Sequence, residues 1–242
     1  MKILAVSDVQ SQSLEDMIDR NPEKFNQVDC IISCGDLESD YLSNVVEKLK
    51  LKFIFVSGNH VFRDDACDES EKNQLSSLPA DYWFRPRLCI AGAQDIHRRV
   101  EIFGDYIFTG FGGSTLYNRK ENQFTEGQMQ KIVNSVARKI WLIRLMGIFL
   151  RKKRKEIIVL SHAPVAGIHD LPDIPHRGFE CFKKFIKRFK PVLWMHGHVD
   201  PTGITKPQIT ISGETTIVNV FGCKIIDITE KEVAVKSHCA EI

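Results

Sequence analysis

The chain has no CxxC pair, no internal repeat and no low-complexity linker. Without paired cysteines, a zinc ribbon or thioredoxin-type centre has no support. The seven cysteines present (Cys30, Cys34, Cys67, Cys89, Cys181, Cys223 and Cys239) are odd in number and scattered. They read as reduced thiols, with Cys30 and Cys34 as small core residues. A strong charge bias is lacking too. The formal net charge is +2 over 242 residues, so nothing global demands nucleic acid or an anionic membrane. No uncharged run is long enough to span a bilayer, because Arg138, Lys139 and Arg144 interrupt the most apolar segment, Ile132–Leu150. That segment reads as a buried or amphipathic helix, with a membrane-surface or partner helix as the minority alternative. A leader pattern is also missing. Met1–Val6 opens as a strand, which with reduced cysteines points to the cytoplasm.

What is present is ordinary for a globular chain: 43% apolar and 26% charged residues. The length suits one domain over residues 1–242. Short apolar, β-branched runs recur at Ile3–Val6, Cys30–Ser33, Phe53–Val56, Ile157–Leu160 and Val192–Met195, and read as buried strands. Helical periodicity separates the first three. Ser13 is a candidate cap for Leu14, Met17 and Ile18, and Ser39 or Asp40 opens a second helix through Leu42, Val45, Val46 and Leu49. Strand–helix–strand order predicts an α/β fold with a largely parallel first sheet. Later runs (Arg87–Ala91, Val100–Phe103, Tyr106–Phe111, Ile209–Ile211, Thr216–Val220, Lys224–Ile228, Val233–Lys236) are short and turn-linked, which predicts hairpins and a second, mixed sheet. Residues 64–81 read as a loop, and residues 163–178 as an active-site loop. The segment from Lys183 to Lys190 alternates cations with Phe182, Phe185, Ile186 and Phe189, as an amphipathic helix does. Arg151–Lys155 is a denser basic patch of ambiguous role. Trp83, Trp141 and Trp194 sit among apolar residues and read as core or near-core.

The five buried strands share a feature. They are followed by Ser7-Asp8-Val9-Gln10, Cys34-Gly35-Asp36, Ser57-Gly58-Asn59-His60, Ser161-His162-Ala163-Pro164, and His196-Gly197-His198-Val199-Asp200. In open α/β sheets, ligands bind beyond the carboxyl ends of the strands. A lone Gly-Asp is a common turn, and a lone histidine before proline is more often structural. Five strand ends that each deliver a carboxylate, amide or imidazole to one rim are another matter. Carboxylates crowded there repel one another unless cations are bound.

In this order the motifs resemble those of the calcineurin-like metallophosphoesterases, whose pattern is Asp-x-His, Gly-Asp, Gly-Asn-His with an acid, His, and Gly-His-x-His. The stretches Gly110–Ser114, Asn122–Glu126, His162–Asp170 and Gly213–Thr216 are similar to one prokaryotic branch of that family. The resemblance implies a four-layer α/β/β/α sandwich of two mixed sheets flanked by helices, with two divalent metal ions on its rim. It implies that Asp36 bridges both ions, that Asn59, His162 and His198 complete one site, and that Asp8, Gln10 and Asp200 complete the other. The family has histidine where this chain has Gln10 and Asp200, and an acid where it has Val61. The altered site is therefore all oxygen and suits Mg²⁺, Ca²⁺ or Mn²⁺; the other suits Mn²⁺, Zn²⁺ or Fe²⁺. Manganese leads among these.

The implied reaction is hydrolysis of a phosphomonoester or phosphodiester by a hydroxide activated between two metals. His60 is the candidate for protonating the leaving oxygen, and Val61 removes a natural partner for its ring. Asn59, His60, His176 and Arg177 are the expected substrate contacts, and His169 and Asp170 are weaker candidates for such contacts. His196, His97 and His238 read as structural or ordinary. The expected partner is a small phosphate ester, with no nucleic acid and no membrane span. The alternative is a catalytically weakened member acting as a binding or scaffold protein, for which Gln10, Val61 and Asp200 are the evidence.

Overall fold

Strands that are apolar on both faces must be covered on both faces. The first strand shows how. In β1 (Lys2–Ser7), Ile3 and Ala5 pack into one apolar cluster, while Leu4 and Val6 pack into another. The computed structural model describes residues 1–60, 90, 92–118, 120–203, 207–229 and 232–236. Val61, the 64–81 loop, Trp83, most of the Arg87–Ala91 strand, His238, Cys67, Cys89 and Cys239 lie outside the described residues.

One sheet contains β1, β2 (Cys30–Ser33), β3 (Lys52–Phe55), β4 (Gln94–Asp95), β13 (Gly222–Ile228) and β14 (Val233–Lys236) in the order β14-β13-β1-β2-β3-β4. Strands β1 to β4 run parallel, and β13 and β14 join antiparallel. The other sheet contains β5 (Val100–Phe103), β6 (Tyr106–Phe111), β9 (Glu156–Ser161), β10 (Leu193–His196), β11 (Ile209–Ser212) and β12 (Thr215–Asn219), in the order β11-β12-β10-β9-β6-β5. Its centre, β6-β9-β10-β12, is parallel. Two short strands, β7 (Ser114–Thr115) and β8 (Gln123–Phe124), pair beside it. Ile3, Ala5, Ile32 and Ile54 meet Phe108, Ile158, Leu160 and Met195 between the sheets. On the outer face of the first sheet lie α1 (Gln12–Arg20) and α2 (Ser39–Leu49); on that of the second lie α3 (Glu126–Phe149) and α4 (Glu180–Phe189). This is the four-layer α/β/β/α sandwich of two mixed sheets.

Several local expectations change. Ser11, not Ser13, caps α1, its hydroxyl accepting from the Leu14 N–H at 3.3 Å. Helix α2 does open at Ser39, one of the two expected residues, with Glu38 before it. Helix α3 begins earlier than its apolar run, at a capping box in which Thr125 and Gln128 satisfy each other's N–H groups. Trp194 is fully buried, but Trp141 is 53% exposed and is no core residue. Cys30, Cys34 and Cys181 are free and buried, whereas Cys223 is disulfide-bonded, so the expectation of reduced cysteines does not hold at Cys223.

Buried histidines make the fold acid-sensitive. His97 accepts the Gly112 N–H at 2.9 Å through Nδ1, and His196 lies buried at the end of β10. Burial pushes both imidazoles down to about 3, assisted by Arg98 at His97 and His169 at His196. Below their ordinary value of about 6.5, the unfolded chain takes up protons that the folded chain refuses. Their stabilisation is therefore complete above that pH and falls as pH drops towards 3, by about 1.4 kcal/mol per pH unit for each histidine. Asp95, raised to about 6 by burial, works in the opposite direction below pH 6. Comparison with His97→Gln isolates the histidine. We expect urea unfolding of that variant to show a weaker loss of stability between pH 6.5 and 5 than the parent; identical losses would contradict this account.

Candidate metal centre

Strands β1, β2, β3, β9 and β10 end at one rim, and the residues just beyond them form the site. Three of these residues, Asp8 (φ 65°), Asp36 (φ 56°) and His198 (φ 70°), hold left-handed backbone conformations. Such conformations are costly for residues other than glycine, of order 1 kcal/mol each, and persist where the surroundings fix them. The neighbouring glycines supply space. A Cβ at Gly58 would stand 1.9 Å from Asp36 Oδ1, and one at Gly197 would stand 2.2 Å from Asp8 Oδ2. The Gly-Asn and Gly-His pairs thus bring backbone against carboxylate at distances no side chain allows, and Gly35 of the Gly-Asp pair packs as closely on the Gly58 backbone.

Asp36, His162 and His198 present ligand atoms that all lie within 4.8 Å of one another. His162 is fully buried. Its Nδ1 donates to the Cys34 carbonyl at 2.9 Å, while Nε2 lies 2.8 Å from Asn59 Oδ1 and 3.2 Å from Asp36 Oδ2. The Asn59 amide is oriented by Tyr117, whose hydroxyl accepts from Nδ2 at 3.2 Å. His198 donates from Nε2 to the Pro175 carbonyl at 2.8 Å, which leaves Nδ1 as its ligand atom. Both oxygens of Asp8 accept the His198 backbone N–H, at 3.0 and 2.9 Å.

Charge follows burial and contact. Burial raises the Asp8 carboxyl, against the pull of His162. At Asp36 burial acts upward as well, but His162 and the His60 N–H outweigh it and the pKa is lowered. At His162 burial acts downward, yet the Asp36 carboxylate lifts the imidazole to about 9. At His198 burial and the neighbouring His162 outweigh the lift from the Pro175 carbonyl and Asp36, and push the imidazole down to about 3.

The donor set fits a divalent cation. A carboxylate oxygen, an amide oxygen and two imidazoles converge, and the Asp36 and Asn59 oxygens crowd His162 Nε2 at distances that call for a proton or a metal between them. The fit is weaker on the other side. Gln10 is exposed, and Asp200 is exposed with its Oδ1 accepting the Thr202 N–H at 2.8 Å. Hydrogen bonding from the Thr202 side chain, with that N–H, lowers the Asp200 carboxyl.

The remaining candidates fall as follows. His60 fixes its N–H on Asp36 Oδ1 at 2.9 Å, and its side chain is 68% exposed above the cluster. The His176 ring lies 5.1 Å from that of His198 and bonds Asp173 Oδ2 at 2.6 Å. Arg177 is exposed, and its carbonyl accepts from Thr115 Oγ1 at 2.6 Å. His169 is buried behind the rim rather than turned to solvent, with Nδ1 3.0 Å from His196 Nε2 and Nε2 2.8 Å from Thr210 Oγ1. The Asp170 carboxylate accepts the Gly178 N–H at 3.3 Å. Sequence reasoning missed Tyr117, Asn122 and the Pro175 carbonyl. Asn122 lies within a stretch already marked by resemblance and donates to the Gly58 carbonyl at 3.1 Å; Tyr117 and Pro175 had no motif to mark them.

The profile of the calcineurin-like phosphoesterase family matches residues 1–200. No curated protein sequence matches the chain. Among solved structures, TT1561 of Thermus thermophilus is 14% identical, with 97% of each chain covered and a TM-score of 0.58. A dimetal phosphatase from Danio rerio is 13% identical, covering 98% of this chain and 95% of its own, with a TM-score of 0.56. GAP50, the anchor in the inner membrane complex of Plasmodium, is 10% identical, covering 98% and 83%, with a TM-score of 0.51. At these identities the structures share a fold with this chain.

The Gly58 contact gives a test. Gly58→Ala forces the Asp36 carboxylate aside while leaving every proposed ligand in the sequence. We expect Mn²⁺ affinity, read by calorimetry, to fall by about ten- to a hundred-fold, as when a ligand loses its positioning. Unchanged affinity in a folded Gly58→Ala variant would show that Asp36 is not held there for metal.

Proposed function

The chain belongs to the calcineurin-like phosphoesterase family, and from that premise we propose that it hydrolyses a small phosphomonoester or phosphodiester at the rim built around Asp36. The observation that carries this is the convergence of Asp36, His162 and His198 within 4.8 Å, with the Asn59 oxygen beside them. In this reading Asp36, Asn59, His162 and His198 hold one cation. Asp8, Gln10, Asp200 and the shared Asp36 hold a second, harder one, and Mn²⁺ suits both sets. When bound, the cations neutralise phosphoryl oxygens and activate water for in-line attack.

The protein's own groups do the rest. Asn59 orients its oxygen towards the cluster because Tyr117 takes its amide N–H. His60, exposed at the rim and anchored through its N–H, protonates the leaving oxygen. His176 and Arg177, on the loop that carries Pro175, contact the phosphate. Without a cation, His162 and Asp36 hold each other's charge in a buried place; a bound cation would take the place of the Nε2 proton between the same atoms.

A second reading has one specific observation behind it. The Asp200 carboxylate is exposed and engaged by its own turn, which favours a member that keeps the fold and one cation but serves as a binding or scaffold protein. Turnover separates the two readings. We expect hydrolysis of an aryl phosphate with Mn²⁺ in a series that includes Mg²⁺, Ni²⁺ and Zn²⁺, and its loss in Asp36→Ala. No turnover with any metal, together with recovery in Gln10→His/Asp200→His, would sink the catalytic reading. Elemental analysis of protein purified without chelator would count the ions.

A further inference from the structure

Helix α3 changes character halfway along. Its first half buries Met129, Ile132, Val133, Val136, Ala137 and Ile140. At 3.6 residues per turn, the opposite face carries Lys131, Asn134 and Arg138, as a solvated face should. The same outward face then turns apolar. Trp141, Leu142, Met146, Ile148 and Phe149 are all more than half exposed, and Ile148 and Phe149 reach 74% and 78%. The core stops short of them. Arg144 closes it by donating to the Phe189 carbonyl at 3.3 Å and lying over the Phe189 ring. Single exposed apolar residues are ordinary, but a contiguous exposed patch signals an interaction.

Charge says what it fits. Nine of the chain's 33 basic residues lie between residues 127 and 155, and none of its 31 acidic residues does. Five of the nine, Arg151 to Lys155, follow the apolar tip directly. The rest of the chain therefore carries more acid than base, so this is a local device within a nearly neutral protein. A second copy of the chain placed on the patch would set one cationic block against another. An anionic bilayer meets both demands: its interface takes apolar side chains, and its headgroups take lysine and arginine. No described helix is long and apolar enough to cross a membrane, so the contact is a surface one.

We propose that the carboxyl-terminal end of α3, with Arg151–Lys155, docks this protein on anionic lipid bilayers. The chain leaves this tip to enter β9 at Glu156 and reaches His162 at the far end of that strand. The metal centre therefore sits at the opposite end of the sheet, turned away from the bilayer and open to the aqueous phase.

Vesicle sedimentation of the full chain tests this. Wild type should sediment with vesicles of equal phosphatidylcholine and phosphatidylglycerol, and not with phosphatidylcholine alone. Binding should weaken by about ten-fold or more in Ile148→Glu/Phe149→Glu and in Lys152→Gln/Lys153→Gln, since each removes one of two required signals. These side chains are exposed, and circular dichroism checks that both variants fold. Three results would overturn the proposal: no sedimentation of wild type, binding unaffected by either variant, or a wild-type dimer without vesicle binding that Ile148→Glu/Phe149→Glu dissolves. None of these readouts uses phosphoesterase activity, so failure here leaves the catalytic reading standing, and the reverse.

Discussion

The imidazole of His162 holds the two sheets together at the rim. It follows β9 of one sheet, yet its hydrogen-bond and ion-pair partners come from the other. Nδ1 reaches the Cys34 carbonyl, 128 residues away in sequence, and Nε2 faces Asn59 and Asp36. The ring is fully buried and the Asp36 side chain is only 7% exposed. Removing one partner of such a pair leaves a charge buried alone, at a cost of roughly 3–5 kcal/mol. The geometry of the rim therefore depends on this contact being made, and a divalent cation between the same atoms would make it in a stronger form.

Much of the nearby structure serves to hold that ring in place. The Gly197 N–H donates to the His162 carbonyl at 3.1 Å, which ties the end of β10 to the end of β9. Trp194 donates to Ser161 Oγ at 2.9 Å, and that hydroxyl donates to the Ala163 carbonyl at 2.7 Å, bracing both sides of His162. Behind them, His196 Nδ1 donates to the Gly197 carbonyl at 2.9 Å, and its Nε2 meets His169. With Nδ1 donating, His196 Nε2 accepts from His169 Nδ1, and His169 Nε2 meets Thr210 Oγ1. Burial keeps His196 neutral, so its own ring needs no counter-charge. The left-handed turns at Asp8, Asp36 and His198 persist because this framework fixes both of their ends.

The layering was legible in the sequence because it follows from local periodicity. Runs such as Ile3–Val6 are apolar on both faces, and only a covered sheet can use that pattern. The ordering of acid, amide and imidazole at strand ends was legible for the same reason, since strand ends are where chain and rim coincide. What could not be read was anything set by tertiary contact. Trp141 sits in an apolar run, and composition alone cannot say that the core ends at Arg144. His169 looked like a loop histidine because its partners, His196 and Thr210, are 27 and 41 residues away. Ser11 and Ser13 are equivalent by composition, and only the backbone geometry selects Ser11 as the cap. Tyr117 orients Asn59 from 58 residues away, with no motif to mark it.

The two halves of the candidate metal centre differ in how firmly the protein holds their side chains. On the His162 side, three donors are each held by a further hydrogen bond: Asn59 to Tyr117, His162 to Cys34 and His198 to Pro175. Those donors are preorganised and need little ordering when a cation arrives, so the affinity they offer is not spent on fixing side chains. On the other side, Asp8 is fixed through His198, but Gln10 and Asp200 stand at the surface, and Asp200 must give up its Thr202 contact to serve as a ligand. Ordering two exposed side chains costs conformational entropy, and the amide of Gln10 returns only a neutral oxygen contact. Gln10 and Asp200, the two proposed ligand positions at which this chain departs from the family's motifs, thus stand where the fold secures side chains least.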